Sequence, residues 1–150
     1  MKQLIHSYSD GKIIAEELPV PQCDENGVLI ESICSLISSG TEKMLLDFGK
    51  SSVFGKIKKQ PDRAKEVISK IKNDGIIPTI EAVNNKLNTT NQIGYCSVGR
   101  VIEIGKNIKD ISVGDRVISN GPHAEYVSVP RNLCAKIPEN VTDDSAVFCV

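Results

Sequence analysis

The stretch Ile93–Val117, IGYCSVGRVIEIGKNIKDISVGDRV, decides the fold. Glycines at 94, 99, 105 and 114 punctuate an apolar alternation, and an acidic-basic pair closes it. Glycine admits dihedrals and backbone approaches closed to other residues, so this spacing predicts a bend, a strand, a turn, a tight turn and a second strand. Val101, Ile102 and Ile104 offer β-branched side chains suited to a pleated surface, and Glu103 breaks the run with a side chain for water. The first strand is therefore read as half-buried. Lys106–Asp110 is polar and loop-like, and Val113-Gly114-Asp115-Arg116-Val117 turns into the next strand.

Upstream, residues 3 to 8 and 12 to 18 are short apolar-rich segments around Ser9-Asp10-Gly11, which predicts a hairpin. Pro19 and Pro21 end the second segment, because proline lacks the ladder donor. GVLIESICSLIS, from Gly27 to Ser38, alternates imperfectly and reads as a long strand with a bulge. Ser38-Ser39-Gly40-Thr41-Glu42 closes it, either as a loop carrying chemistry or as a strand-to-helix turn whose hydroxyl caps a short helix through Leu46. Across 55–88 the character becomes helical. Pro61 suits a first helical position, Ala64, Val67, Ile68 and Ile71 form a stripe, and Asn73-Asp74-Gly75 stops it. Ile80, Val83 and Leu87 share a face in a second segment begun near Pro78. The basic run Lys56, Lys58, Lys59, Arg63 and Lys65 lacks interleaved aromatics and reads as a solvated helix surface.

Downstream, His123–Val129 resumes as a strand after Asn120-Gly121-Pro122, and Leu133–Ile137 supplies another. Thr142 followed by Asp143 and Asp144 reads as a capped helix start. Val150 falls just after it, which points to a fragment of a longer polypeptide. Many short strands around a two-helix insertion predict a mainly β fold, a partly open β-barrel with peripheral helices. No strand is followed by GxGxxG, so a dinucleotide-binding βαβ unit is not expected within these residues.

Bulk properties narrow the function classes. The 150 residues are 40% hydrophobic and 25% charged, enough for one domain with a real core. A net charge of −1 gives no broad attraction to nucleic acid or an anionic membrane. No apolar run is long enough to span a bilayer, and MKQLIHSYSDG lacks a leader's apolar core, so the expected location is cytoplasmic. Five cysteines at 23, 34, 96, 134 and 149, without CxxC spacing, read as free thiols.

With Gly94, Gly99 and Gly105, then GDRV at 114 to 117, HAEYVSVP at 123 to 130 and IPENVTDDSA at 137 to 146, the chain resembles the N-terminal domain of the medium-chain dehydrogenase/reductase superfamily. That domain is a GroES-like barrel, and the motifs occur in family order over most of the chain. The insertion QPDRAKEVISKIKNDGIIPTIEAV resembles the bacterial two-part oxidoreductases linked to surface polysaccharide synthesis. The resemblance implies that residues 1–150 are the substrate-side domain, with a Rossmann coenzyme domain following. It implies NAD or NADP in the full-length protein and none bound by this fragment. The implied partners are a small-molecule substrate, with the subgroup pointing to a nucleotide-linked sugar, and a second copy of the protein.

Zinc-dependent members place a cysteine ligand where this chain has Ser39, in Ser39-Gly40-Thr41-Glu42, and a histidine ligand where it has Tyr95. A third ligand is expected near Cys149. Replacement of two ligands argues against the usual catalytic zinc, which takes three protein donors. Cys96 and Cys149 are then expected to be buried thiols and Glu42 an exposed carboxylate. Thr41 matches the family's hydroxyl relay and otherwise caps a helix. Tyr95 either donates a hydrogen bond to substrate oxygen or packs as an aromatic with its hydroxyl outward. Ser39 and Glu42 are read as positioning water or substrate. His123 is placed on the barrel surface, with proton transfer as its other reading. Asp115 and Arg116 are expected to be structural. The competing function is a non-enzymatic binding module on the same barrel, with a GroES-type co-chaperone behind it.

Overall fold

A computed structural model of the chain describes residues 1–7, 12–49, 65, 69, 71, 73, 75, 77, 78 and 90–149. The elements in chain order are β1 (Lys2–Ser7), β2 (Ile13–Glu17), β3 (Gly27–Ser35), α1 (Ser39–Gly49), β4 (Thr90–Gln92), β5 (Ser97–Ile104), β6 (Arg116–Ser119), β7 (Tyr126–Pro130), a 3-10 turn at Arg131–Leu133, β8 (Cys134–Lys136) and α2 (Asp143–Ala146). One sheet has the order β2-β1-β4, the other β7-β3-β5-β6-β8. The expected mainly β, partly open architecture is borne out. The chain divides into two compact units, the first made of Met1–Ile5, Ile14–Ser38 and Gln92–Val150, the second of His6–Ile13 and Ser39–Asn91.

In the first unit, apolar residues pack on both faces of the five-stranded sheet. Val28, Ile30, Val101, Ile111, Val117, Val127, Val129 and Cys134 form one cluster. Cys96, Val98, Ile118, Ile137, Ala146 and Val147 form the other. Adjacent residues Val117 and Ile118 enter different clusters, as the two-residue period of a strand requires. A sheet covered on both sides accounts for the consecutive burial of Val117, Ile118 and Ser119 in β6, where a half-exposed strand would alternate.

The imperfect alternation of β3 has its cause in the predicted bulge. Its register with β5 slips between Leu29 and Ile30 and again between Ser32 and Cys34. At the first slip Leu29 pairs with Glu103 and Ile30 with Val101, which leaves Ile102 as the extra residue. Ile102 and Glu103 are both exposed as a result, so only Val101 of the predicted half-buried run is fully inside.

GDRV works structurally, as expected. Asp115 accepts from the Ser112 N–H at 2.7 Å and pairs with Lys136 at 2.7 Å. The hydrogen bond from Lys136 holds its carboxyl below the usual carboxylate range. Arg116 reaches Asp143 at 3.0 Å and also donates to the Val141 carbonyl, tying β6 to the start of α2. Thr142 caps α2 as predicted, accepting from the Ser145 N–H at 3.3 Å, with Asp143 and Asp144 in the first turn.

In the second unit, α1 begins at Ser39 and runs to Gly49. The SGTE segment is therefore helical and Thr41 lies inside the first turn, one correction to its reading as loop or cap. Lys65, Ser69, Ile71 and Asn73 are helical, and the Gly75 N–H donates to the Ile71 carbonyl at 3.1 Å where the stop was predicted. Most of the predicted second helix, the basic residues before Lys65 and the Ser9-Asp10-Gly11 turn lie outside the described residues.

Candidate functional site

Three chain segments meet around His123 in the first unit. Its N–H donates to the Ile93 carbonyl at 2.8 Å, and its own carbonyl accepts from the Leu4 N–H at 2.8 Å. Gln3 bridges Ala124, and the Glu125 N–H donates to the Lys2 carbonyl at 3.0 Å. Glu125 also accepts from the Lys2 N–H through its carboxylate at 2.8 Å. From the third side, the Ser32 N–H donates to the Glu125 carbonyl at 2.8 Å. These main-chain bonds hold His123 from both neighbours, so its ring position follows from backbone placement.

His123 is 6% exposed, which overturns the surface placement. Local sequence reads HAEYVSV as the start of a strand with one face outward; the enclosure comes from residues distant along the chain. Gly94 lies against the ring with φ of +89°, and a Cβ there would fall 2.7 Å from the ring carbons. The ring Nδ1 and Ser35 Oγ are 2.8 Å apart. The Gly94 bend then presents Tyr95, 40% exposed. His123, Ser35 and the Tyr95 bend are thus brought together in one unit. A pocket of about 290 Å³ opens beside them, lined by parts of β1 and β3 and by His123, Ala124 and Glu125.

Of the other sequence-predicted residues, Ser39, Thr41 and Glu42 belong to the second unit. Ser39 and Thr41 are exposed, whereas Glu42 is buried, contrary to the exposed carboxylate expected. Winding 39–49 into a helix turns position 42 inward while 39, 40, 41, 43 and 44 face solvent. Motif reading missed Gln3, Ser35 and Glu125. Ser35 carried only the signal of its place in the β3 alternation, and Gln3 carried none.

The cysteines separate clearly. All five are free. Cys96 is buried as expected, its thiol donating to the Val147 carbonyl. Cys149 is exposed, correcting its expected burial, because Ala146 and Val147 take the inward positions at the end of α2. Burial pushes the Cys134 thiol up to about 11. Iodoacetamide at pH 8 is therefore expected to modify Cys149 in the native chain and to leave Cys96 and Cys134 unmodified until denaturant is added, as read by peptide mass mapping.

Beside Tyr95, the Cys96 thiol is committed inside an apolar cluster, donating to the Val147 carbonyl. Among the described residues, no three His, Cys, Asp or Glu side chains are grouped to hold a metal ion. Likewise, among the described residues, no helix is long and apolar enough to cross a membrane.

No protein-family model matches the chain. Among characterised proteins, a highly reducing polyketide synthase of Penicillium soppii is 36% identical over 64 residues, covering 38% of this chain and 2% of that protein. The L-threonine 3-dehydrogenase of Pseudoalteromonas atlantica is 28% identical over 86 residues, covering 37% of this chain and 25% of the enzyme. Among solved structures, a quinone oxidoreductase from Coxiella burnetii superposes with a TM-score of 0.64 at 20% identity, over 98% of this chain and 40% of that one. The quinone oxidoreductase of Escherichia coli, complexed with NADPH, superposes with a TM-score of 0.63 at 14% identity, over 100% of this chain and 37% of that one. The chain thus spans well under half the length of these proteins. The described residues and the superpositions agree on architecture: the chain has the mainly β, GroES-like, partly open barrel fold of the matching parts of these oxidoreductases.

Proposed function

We propose that this chain is the substrate-side portion of an NAD(P)-dependent oxidoreductase that works without the usual catalytic zinc on an alcohol, a carbonyl or an activated alkene. The observation that carries this reading is the Gly94–Tyr95 bend, which packs on the buried His123 and leaves the Tyr95 phenol half-exposed, at the position where the family resemblance expects a histidine ligand. The structural likeness to an oxidoreductase complexed with NADPH supports the coenzyme class. The coenzyme, held by a Rossmann domain after residue 150, supplies or accepts the hydride.

The residues of this chain then have positional and protonic tasks. Tyr95 donates a hydrogen bond from Oη to the substrate oxygen, which offsets charge developing there. Thr41, exposed in the first turn of α1, relays the proton and Ser39 positions substrate, while the buried Glu42 is left to position an internal water. The insertion favours a nucleotide-linked sugar as substrate. A cytoplasmic homo-oligomer with no nucleic-acid or membrane partner completes the reading.

The test is turnover of the full-length protein with NADH and NADPH against nucleotide-linked sugars, simple alcohols and activated alkenes. Combined Thr41→Ala and Tyr95→Phe substitution is expected to lower kcat by about 100-fold or more, the scale of a lost general acid, with coenzyme affinity held within about twofold. An unchanged rate in the folded double variant removes these residues from the chemistry. Inactivity toward every class, together with absent coenzyme binding, favours the non-enzymatic binding module.

A further inference from the structure

We propose that the pocket of the first unit is a binding site for a small uncharged molecule carrying adjacent hydroxyls, a polyol or the open end of a sugar. This inference does not depend on the oxidoreductase reading, since it concerns binding and involves neither Tyr95 nor Thr41.

Gln3 lines the pocket and is 4% exposed, yet its side-chain amide nitrogen has no hydrogen-bond partner among the described residues. A buried amide donor left unsatisfied costs the free energy of its lost hydration, so such a group calls for an acceptor from outside the chain. The pocket, about 290 Å³, opens to solvent and has room for more than one water, so a small organic molecule fits beside Gln3.

The remaining polar groups define what kind of acceptor fits. The Ser35 hydroxyl faces His123 Nδ1 at 2.8 Å and so either donates to the ring or accepts from it. A ligand hydroxyl, both donor and acceptor, matches either arrangement. The Glu125 carboxylate, exposed at the pocket's edge, commits one oxygen to the Lys2 N–H and leaves the other open to a ligand donor in place of water. A carbonyl compound can satisfy Gln3 but offers Glu125 nothing. An anion meets the Glu125 charge, and a cation meets Lys2, which also lines the pocket. Donor, acceptor and two-way positions together match neighbouring hydroxyl groups on a neutral carbon chain.

The experiment titrates the full chain with sorbitol, with gluconate as an anion of the same carbon length and with butanone as a carbonyl probe, following the Gln3 side-chain amide signal by heteronuclear NMR. Sorbitol is expected to shift that signal saturably, with gluconate and butanone at least about tenfold weaker. Ser35→Ala is expected to weaken sorbitol binding about tenfold. Gln3→Leu, read on other pocket signals, is expected to abolish it while raising the melting temperature of the ligand-free chain, since the substitution removes an unsatisfied buried amide at similar volume. The proposal is overturned if sorbitol gives no saturable shift, if gluconate or butanone binds as tightly, or if both variants bind normally. A lowered melting temperature for Gln3→Leu also overturns it, because it reveals an internal partner for the amide.

Discussion

Alanine at position 94 is expected to lower the melting temperature by about 10 °C and to dissolve the arrangement around His123. Two costs combine there. Gly94 has φ of +89°, a conformation that an L side chain adopts at about 1–2 kcal/mol. Its Cβ would also fall 2.7 Å from the His123 ring, and overpacking of that kind costs about 1–3 kcal/mol. A total of about 3 kcal/mol corresponds to about 10 °C for a chain of this size. The ring has little room to yield, because the backbone of His123 is bonded to Ile93 on one side and to Leu4 on the other. Its displacement would break the contact with Ser35 Oγ and move the Tyr95 bend. Gly114→Ala separates the two costs, since Gly114 has φ of +94° and a methyl there would meet nothing within 4 Å. Thermal unfolding of both variants is expected to show Gly94→Ala the more damaging by about 5 °C, the ring contact alone. Equal losses would mean that the ring moves freely and is not fixed by this bend.

The contrast between these glycines also shows which parts of the molecule were legible in the sequence. The bend at Gly94 and the tight turn at Gly114 followed from spacing alone, because a positive φ is a local property, whereas the close approaches at Gly99 and Gly105 involve residues distant along the chain. The Thr142 cap was legible for the same reason: hydroxyl, backbone N–H and first-turn carboxylates lie within four residues of one another. The β3 bulge showed as broken alternation. His123 lacked any such local sign. Its burial depends on Leu4, Ile93 and Ser35, and no local pattern around position 123 encodes those neighbours.

Site residues divide along the same line. Tyr95 and the SGTE segment were singled out through family motifs, which mark a position by its neighbours in the sequence whatever residue stands there. The pocket was invisible, because residues 2–4, 32–35 and 123–125 converge only after the strands pair. Glu42 was misread for a related reason. As part of a loop it would reach water, but one added turn of helix directs it inward. Side-chain direction depends on where an element starts, and element boundaries are what local propensity determines least.

Gly99→Ala is expected to be the most destabilising single methyl that this chain can receive in β5, at about 4 kcal/mol, the upper end for point substitutions. Gly99 has no unusual dihedral; the constraint is approach. A Cβ there would lie 2.3 Å from the Glu31 carbonyl oxygen and 2.5 Å from Ile30 Cγ2. The extra residue between Ser32 and Cys34 accompanies this crowding, since the register shift occurs beside the Gly99–Ser32 pair. Ile30 is wholly buried between β5 and β7, so neither group can retreat without loosening both pairings. A double-mutant cycle with Ile30→Ala, followed by urea titration, decides which contact dominates. Trimming Ile30 removes the side-chain clash but leaves the carbonyl in place. The two losses are therefore expected to add, with coupling under about 0.5 kcal/mol, and the weakest variant to be unfolded near room temperature. Rescue of Gly99→Ala by Ile30→Ala would transfer the constraint from the backbone to the side chain. A loss below about 1 kcal/mol for Gly99→Ala alone would show that β3 can lift away from β5 at its bulge, and that the close approach is no requirement of the fold.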